Sequence, residues 1–254
     1  MGVYFDDWTI YSLLKEHTKW LRMMLKRCRK IQLSMNLKKC IFLTPIGILL
    51  GHVVCKDGIK VDMGKIKIIL DLKPPTNPKQ IRVFLGHTGY YRKFIRHYSD
   101  ITFPLDELLR QGVEFTWSKD CNDSFKLLKR KLVEAPILKF PNWSIRFHVH
   151  IDASTIAVGT ILAQPYDEVD HLTSYASRKL NSAERNYSTT EREALGMVFS
   201  LQKFRHYLLA NPFTFYTDHQ ALKYIVNKPL HHGRICRWLL LFQEFEFDVV
   251  VQPG

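Results

Sequence analysis

The spacing of apolar residues changes period several times along the chain, and each change marks an element. Apolar and aromatic residues flank Asp6-Asp7 on both sides across residues 3–12, a pattern that predicts a tight hairpin with the two carboxylates at its tip. Over residues 15–33, Trp20, Leu21, Met24, Leu25, Cys28 and Ile31 recur at helical spacing opposite a basic face, which predicts an amphipathic helix. Residues 51–55 and 59–61 flank Lys56-Asp57-Gly58, a hairpin signal because Asp-Gly supplies positive φ. The run Pro74-Pro75-Thr76-Asn77-Pro78 excludes regular helix and marks a hinge or domain junction. Helical spacing returns at 79–85 and 120–132, punctuated by Pro104, Pro136 and Pro141.

From Ser144 the period becomes two. Ile145, Phe147, Val149 and Ile151 point one way; Arg146, His148, His150 and Asp152 point the other. Further strands are expected at 158–163 and 172–176, a helix at 189–209 and a strand at 213–217. Three strands, a helix and a strand make an α+β plan. At 254 residues the chain is long enough for two or three such units.

Charge narrows the class of partner. Thirty-seven Lys and Arg against 24 Asp and Glu give a net +13, the balance of a surface that neutralises phosphates. In Tyr90-Tyr91-Arg92-Lys93-Phe94-Ile95-Arg96-His97-Tyr98 the basic residues are interleaved with aromatics, which suits phosphate contact combined with stacking. A soluble basic protein without such a partner is the plainer reading of the charge. Cys28, Cys40, Cys55, Cys121 and Cys236 are odd in number and widely spaced, so a reducing compartment fits better than a disulfide framework. Cys40, His52 and Cys55 lack a fourth ligand and regular spacing for zinc, and are expected as core residues. No basic region precedes a long apolar run, and the apolar stretch 41–54 is interrupted by Thr44, Pro45, Gly47, Gly51 and His52. An intracellular protein, in cytoplasm or nucleus, without signal peptide or membrane span is expected.

The candidate chemistry lies in carboxylates. Ser188 with Glu191 and Thr190 with Glu193 both fit a capping box, so one glutamate can be structural. With Ala194, Val198, Leu201 and Leu208 as the buried stripe, Glu193 falls at its border and Glu191 in the exposed first turn, which assigns the chemistry to Glu193. Taken singly, Asp152 reads as a strand-terminal turn residue and Asp218 as a helix cap. The order Asp152-Ala153-Ser154, Thr190-Glu191-Arg192-Glu193, Thr217-Asp218-His219 is what makes the set specific.

With these motifs the chain resembles the polymerase polyprotein of gypsy-type long-terminal-repeat retrotransposons. Tyr4-Phe5-Asp6-Asp7 matches the reverse transcriptase Y-x-D-D hairpin. Phe84-Leu85-Gly86-His87 with Tyr90-Tyr91-Arg92-Lys93-Phe94-Ile95 is similar to that family's downstream signature, and Ala135-Pro136-Ile137-Leu138 to its link toward the nuclease. The segments 174–180 and 184–187 and the pair Arg237-Trp238 match its ribonuclease H portion. The resemblance implies a palm remnant with a primer-gripping hairpin over 1–75, thumb and connection helices over 76–140, and a ribonuclease H-like mixed sheet flanked by helices over 141–254. It implies catalytic and metal-binding roles for Asp152, Glu193 and Asp218 and for Asp6, with Asp7 also catalytic. It further implies Mg2+ as cofactor, with Mn2+ as substitute, and an RNA:DNA hybrid or primer-template as partner. Arg92, Lys93, Arg96, Gly51 and His52 are the expected nucleic-acid contacts, and His219 is expected as a signature residue rather than a ligand. Family members carry fingers and palm ahead of Y-x-D-D and a fourth nuclease carboxylate beyond the strand at 249–254. Primer extension by this chain alone is therefore not expected, and its nuclease site is expected to be short of one ligand. Trp8, Leu50 and Ala157 depart from the family pattern. A silent nucleic-acid-binding remnant, or a pseudogene product, is the alternative.

Overall fold

The computed structural model describes residues 2–4, 7–12, 14–167, 169–222 and 234–252. Its packing divides into two compact units, Met1–Lys56 and Asp57–Gly254, so the expected boundaries near 75 and 140 fall within the second.

In the first unit, β1 (Gly2–Tyr4) and β2 (Asp7–Thr9) pair antiparallel with Tyr4 opposite Asp7. Asp6 lies outside the described residues, and only the backbone of Asp7 is within them. Helix α1 (Leu14–Lys30) buries Met24 and Cys28, with their sulfurs 3.3 Å apart, while Trp20 and Leu25 of the same stripe stay exposed. Strands β3 (Ile46–Leu49) and β4 (His52–Cys55) form a hairpin in which Leu49 pairs with His52. Leu50 and Gly51 turn it with φ of +45° and +68°, two left-handed residues in succession as a two-residue hairpin turn requires. Cys40 and Cys55 are half-buried rather than core residues, whereas Cys28 and Cys121 are buried. The side chain of Cys236 lies outside the described residues.

The second unit opens with β5 (Gly58–Val61) after a turn at Lys56 and Asp57. Gly58 has φ +136°, and a Cβ there would stand 2.1 Å from the Leu138 carbonyl oxygen, so both the backbone and the close approach demand glycine. Helices α2 (Met63–Asp71), α3 (Pro78–Tyr90), α4 (Tyr98–Glu107) and α5 (Lys119–Val133) bury Ile66, Ile69, Ile81, Phe84, Leu105, Phe125, Leu128 and Leu132 in one core. The proline run ends one helix and starts the next. Asn77 accepts from the Gln80 N–H, and Pro78 occupies the first turn, where its missing N–H costs nothing. The local pattern predicts neither α2 nor α4: α2 is only a few turns long, and α4 carries Pro104 inside it.

The five-stranded sheet consists of β6 (Phe147–Ala153), β7 (Ala157–Tyr166), β8 (Val169–Lys179), β9 (Phe213–Thr217) and β10 (Phe247–Val251), in the order β10-β9-β6-β7-β8. The first three form an antiparallel meander, whereas β9 and β10 join in parallel, which gives the mixed sheet. Between β8 and β9 the chain crosses through α6 (Thr189–Lys203) and α7 (Arg205–Leu208); α8 (Arg234–Phe242) precedes β10. The expected single helix over 189–209 breaks at Phe204. Phe147, Val149 and Ile151, the inward set of the alternation, pack with Phe213, Phe215, Met197, Val198, Leu201 and Phe242. Gly196 lets α6 lie close to β6, because a Cβ there would fall 2.4 Å from Ile151 Cγ2. The mixed α+β architecture is the one expected.

Helix α4 and the short 3-10 turn before it (Arg92–Phe94) pack against β7 and β8. Ser99 donates its N–H to Ser177 Oγ at 3.0 Å, Arg92 donates to the Ser177 carbonyl, and Lys179 pairs with Asp106 at 2.9 Å. Among the described residues no helix is long and apolar enough to cross a membrane.

Candidate nuclease site

Parallel pairing of β6 with β9 puts His150 beside Tyr216. Asp152 and Asp218 each follow two residues later, Asp152 near the end of β6 and Asp218 just past the end of β9, so both stand at the carboxyl ends of neighbouring strands. The third element is the start of α6. Ser188 and Glu191 form a reciprocal capping box there, so Glu191 is the structural glutamate. Its neighbour Glu193 is 5 % exposed, buried outright rather than set at the border of the stripe.

Three hydrogen bonds fasten these elements together. Glu193 Oε1 accepts from the Ala153 N–H at 3.2 Å, next to Asp152. Arg192 donates to the Ser154 carbonyl at 3.0 Å, tying α6 to the end of β6. Thr190 Oγ1 lies 3.0 Å from His219 Nε2, tying the same helical turn to the segment after β9. His219 thus serves the scaffold, and its neighbour Asp218 is exposed.

The electrostatics of the cluster fall on its most buried member. Desolvation first, then the charges of Asp218 and Asp152, raise the Glu193 carboxyl from 4.5 to about 7, against the opposing hydrogen bond from Ala153 and the nearby Arg192 charge. The second oxygen, Oε2, is buried and has no hydrogen-bond partner among the described residues. A buried carboxylate with one oxygen anchored, one unpaired and two further carboxylates nearby is a donor set suited to a hard divalent cation. Among the described residues, however, no three His, Cys, Asp or Glu groups are drawn together closely enough to hold a metal ion. The side chain of Asp152 instead turns toward His97, with Nε2 to Oδ2 at 3.5 Å.

The expected nucleic-acid contacts are dispersed. Arg92 is exposed, but its guanidinium donates to Ser177 and lies 5.6 Å over the Tyr98 ring. Lys93 is half-buried against Phe94, and burial lowers its pKa. Arg96 is exposed and lines a small concavity of about 30 Å³ with His97, His150, Asp152 and Tyr175. Gly51 and His52 belong to the β3–β4 turn of the first unit. Sequence reasoning placed Ser154 and Thr190 inside the carboxylate motifs without a role of their own, and missed His97 beside Asp152, reading it only as part of the basic and aromatic run.

The sheet order, the crossover helix and the three fastened carboxylate elements define the class. Residues 142–245 match the RNase H-like domain found in reverse transcriptase. The chain's homologues are Pol polyproteins of retrotransposons. It is 37 % identical over 249 residues to the retrovirus-related Pol polyprotein from transposon 297 of Drosophila melanogaster, covering 97 % of this chain and 23 % of that protein. It is 36 % identical over 265 residues to the corresponding polyprotein from transposon opus of the same organism, covering 99 % and 26 %. With the transposon Tf2-3 polyprotein of Schizosaccharomyces pombe the identity is 33 % over 257 residues, covering 99 % and 19 %. The chain therefore spans about a fifth to a quarter of the length of the curated relatives it matches. In fold it is similar to the foamy viral protease-reverse transcriptase dRH solved in complex with double-stranded DNA, with a TM-score of 0.82 at 19 % identity, covering 96 % of this chain and 44 % of that one. The foamy viral protease-reverse transcriptase solved in complex with an RNA/DNA hybrid gives a TM-score of 0.79 at 19 % identity, covering 96 % and 34 %.

Proposed function

We propose that the RNase H-like domain cleaves the RNA strand of RNA:DNA hybrids, with Asp152, Glu193 and Asp218 holding Mg2+, for which Mn2+ can substitute. The observation that carries this reading is Glu193, a buried carboxyl with one anchored and one unpaired oxygen, raised to about 7 beside two aspartates. Structural carboxylates are paired or exposed; one kept buried among like charges is characteristic of a functional site. When bound, divalent ions in such a site activate a water toward the phosphodiester and stabilise the leaving oxygen. The chain's own part is positional. The Ala153 N–H fixes one oxygen of Glu193, and Arg192 and Thr190 tie the helix start to the segments that carry Asp152 and Asp218.

A hybrid partner is supported by the foamy viral neighbour solved with an RNA/DNA hybrid and by the net charge of +13. By lineage, Tyr4-Phe5-Asp6-Asp7 belongs to the palm of an RNA-directed DNA polymerase in the polyprotein. Asp6 and Asp7 are its catalytic pair, Asp6 a metal ligand, and Gly51 and His52 part of the primer grip. Residues 1–75, 76–140 and 141–254 are the corresponding palm, thumb and connection, and ribonuclease H segments.

A 5′-labelled RNA:DNA hybrid incubated with the chain in Mg2+ or Mn2+ tests the nuclease reading. Cleavage that is lost with chelator and lost in Asp152→Asn supports it. Equal cleavage by wild type and Asp152→Asn rejects the site. Binding without cleavage in either would establish the silent nucleic-acid-binding remnant instead.

A further inference from the structure

We propose that His97 is a positioning residue for the nuclease site: its Nε2–H, delivered from the helical segment ahead of the sheet, orients the carboxylate of Asp152. The proposal rests on the reading of Asp152 as a metal ligand.

Three observations place His97 in this role. Its Nε2 lies 3.5 Å from Asp152 Oδ2, with both side chains partly open to solvent. This ion-pair contact is about 0.6–0.8 Å longer than a charge-assisted hydrogen bond, a gap that rotation of an exposed carboxylate can close. An ionised carboxylate only accepts, so Nε2 must carry the proton in this contact whether the ring is charged or neutral. With Oδ2 held by the imidazole, Oδ1 is left for a cation, the arrangement by which hydrogen bonds to metal-binding carboxylates set their orientation.

The second observation is the backbone. His97 has φ +56° and ψ +32° and precedes α4 without giving it a side-chain cap. The left-handed region costs energy for most residues with a Cβ; histidine, like Asn and Asp, enters it more readily than others, and here it does so without a side-chain cap to α4. The conformation does bring the ring over Gly159, where a Cβ would stand 3.7 Å from Nδ1, and so onto the strand pair that carries Asp152.

The third is the fastening on either side. Ser154, two residues after Asp152, donates to Asp100 Oδ1 at 2.6 Å, and Asp100 stands three residues after His97. Ser99 is bonded to Ser177 through both its N–H and its hydroxyl, each at 3.0 Å. With Arg92 donating to the Ser177 carbonyl five residues before His97, the segment is fastened to the sheet on both sides of it. Through this contact the helices ahead of the sheet take part in the geometry of the nuclease site.

The test is Mn2+ titration followed by electron paramagnetic resonance, on wild type, Asp152→Asn, His97→Gln, His97→Asn and His97→Ala, each checked for folding by circular dichroism. Glutamine places an N–H near the position of imidazole Nε2, and this chain already holds Gln32 at φ +56°. Asparagine is the better left-handed residue but is too short to reach. A positioning role predicts that His97→Gln stays within about threefold of wild-type Mn2+ affinity, while His97→Asn and His97→Ala lose about tenfold or more. A purely conformational role predicts the reverse order, with His97→Asn retained and His97→Gln impaired, and that order overturns the proposal. So does wild-type affinity in all three His97 variants while Asp152→Asn is deficient. Unchanged Mn2+ binding in Asp152→Asn overturns the site reading itself, and the proposal with it.

Discussion

Replacing Glu193 with Gln should stabilise the metal-free protein at neutral pH while removing its catalysis. In the unfolded chain the carboxyl titrates near 4.5; folded, it titrates at about 7. Below 4.5 it is protonated in both states and the burial carries no penalty. Between 4.5 and 7 the folded state retains a proton that the unfolded state releases, so stability must fall as pH rises, and above 7 the penalty is complete. A shift of that size corresponds to about 3 kcal/mol. Gln retains the acceptor for the Ala153 N–H but leaves an unpaired amide where Oε2 stood, which costs about 1 kcal/mol and leaves a net gain of about 2 kcal/mol. For a unit of this size that is a rise in Tm of about 4–8 °C. The assay is chemical denaturation with chelator present, from pH 4 to pH 8.5, on wild type and Glu193→Gln. At the acid end Glu193→Gln should be the less stable by about 1 kcal/mol, the curves should cross as pH rises, and by pH 8 the variant should be the more stable by about 2 kcal/mol. Parallel curves across the whole range would refute the buried, repelled carboxylate. Added Mn2+ should stabilise wild type above pH 7 and leave Glu193→Gln unmoved.

Four further outcomes follow from the same geometry. Asp218→Asn removes a like charge and should lower the Glu193 pKa, read by carbon-13 NMR of its carboxyl, as well as abolish hybrid cleavage. Gly196→Ala forces a methyl to 2.4 Å from Ile151 Cγ2; overpacking should outweigh the helix-propensity gain of about 1 kcal/mol and destabilise by about 1–2 kcal/mol, and the double variant with Ile151→Ala should lose less than the two single losses added together. Gly58→Ala meets both φ +136° and the Leu138 carbonyl, a rigid backbone atom, and should cost about 3 kcal/mol or more in a denaturation midpoint. Hybrid affinity should fall linearly with salt on a log-log plot, and a slope near zero would remove phosphate contacts from the account.

The local pattern along the chain determined much of the fold. Alternation at 145–151 yields β6 because a strand buried on one face admits no other period, and Phe213–Thr217 is bounded as the pattern indicates. The Asn77-Pro78 start of α3 and the Ser188–Glu191 box of α6 are written in adjacent residues, since caps act over one turn. The capping role of Glu191 was also legible, because Ser188 stands three residues ahead of it. Tertiary structure decided what depends on residues far apart in the chain. Helix α4 holds together despite Pro104 because Leu105 and its neighbours are buried against other helices, and short propensity windows contain no trace of those partners. The burial of Glu193, and with it the carboxyl raised to about 7, required β6, β9 and α6 to close around it. His97 and Asp152 stand 55 positions apart and meet only because Ser99, Asp100 and Asp106 fasten α4 to the sheet. Periodicity and capping act over a few residues and are readable in one dimension; desolvation and the meeting of distant charges exist only once the chain has folded on itself.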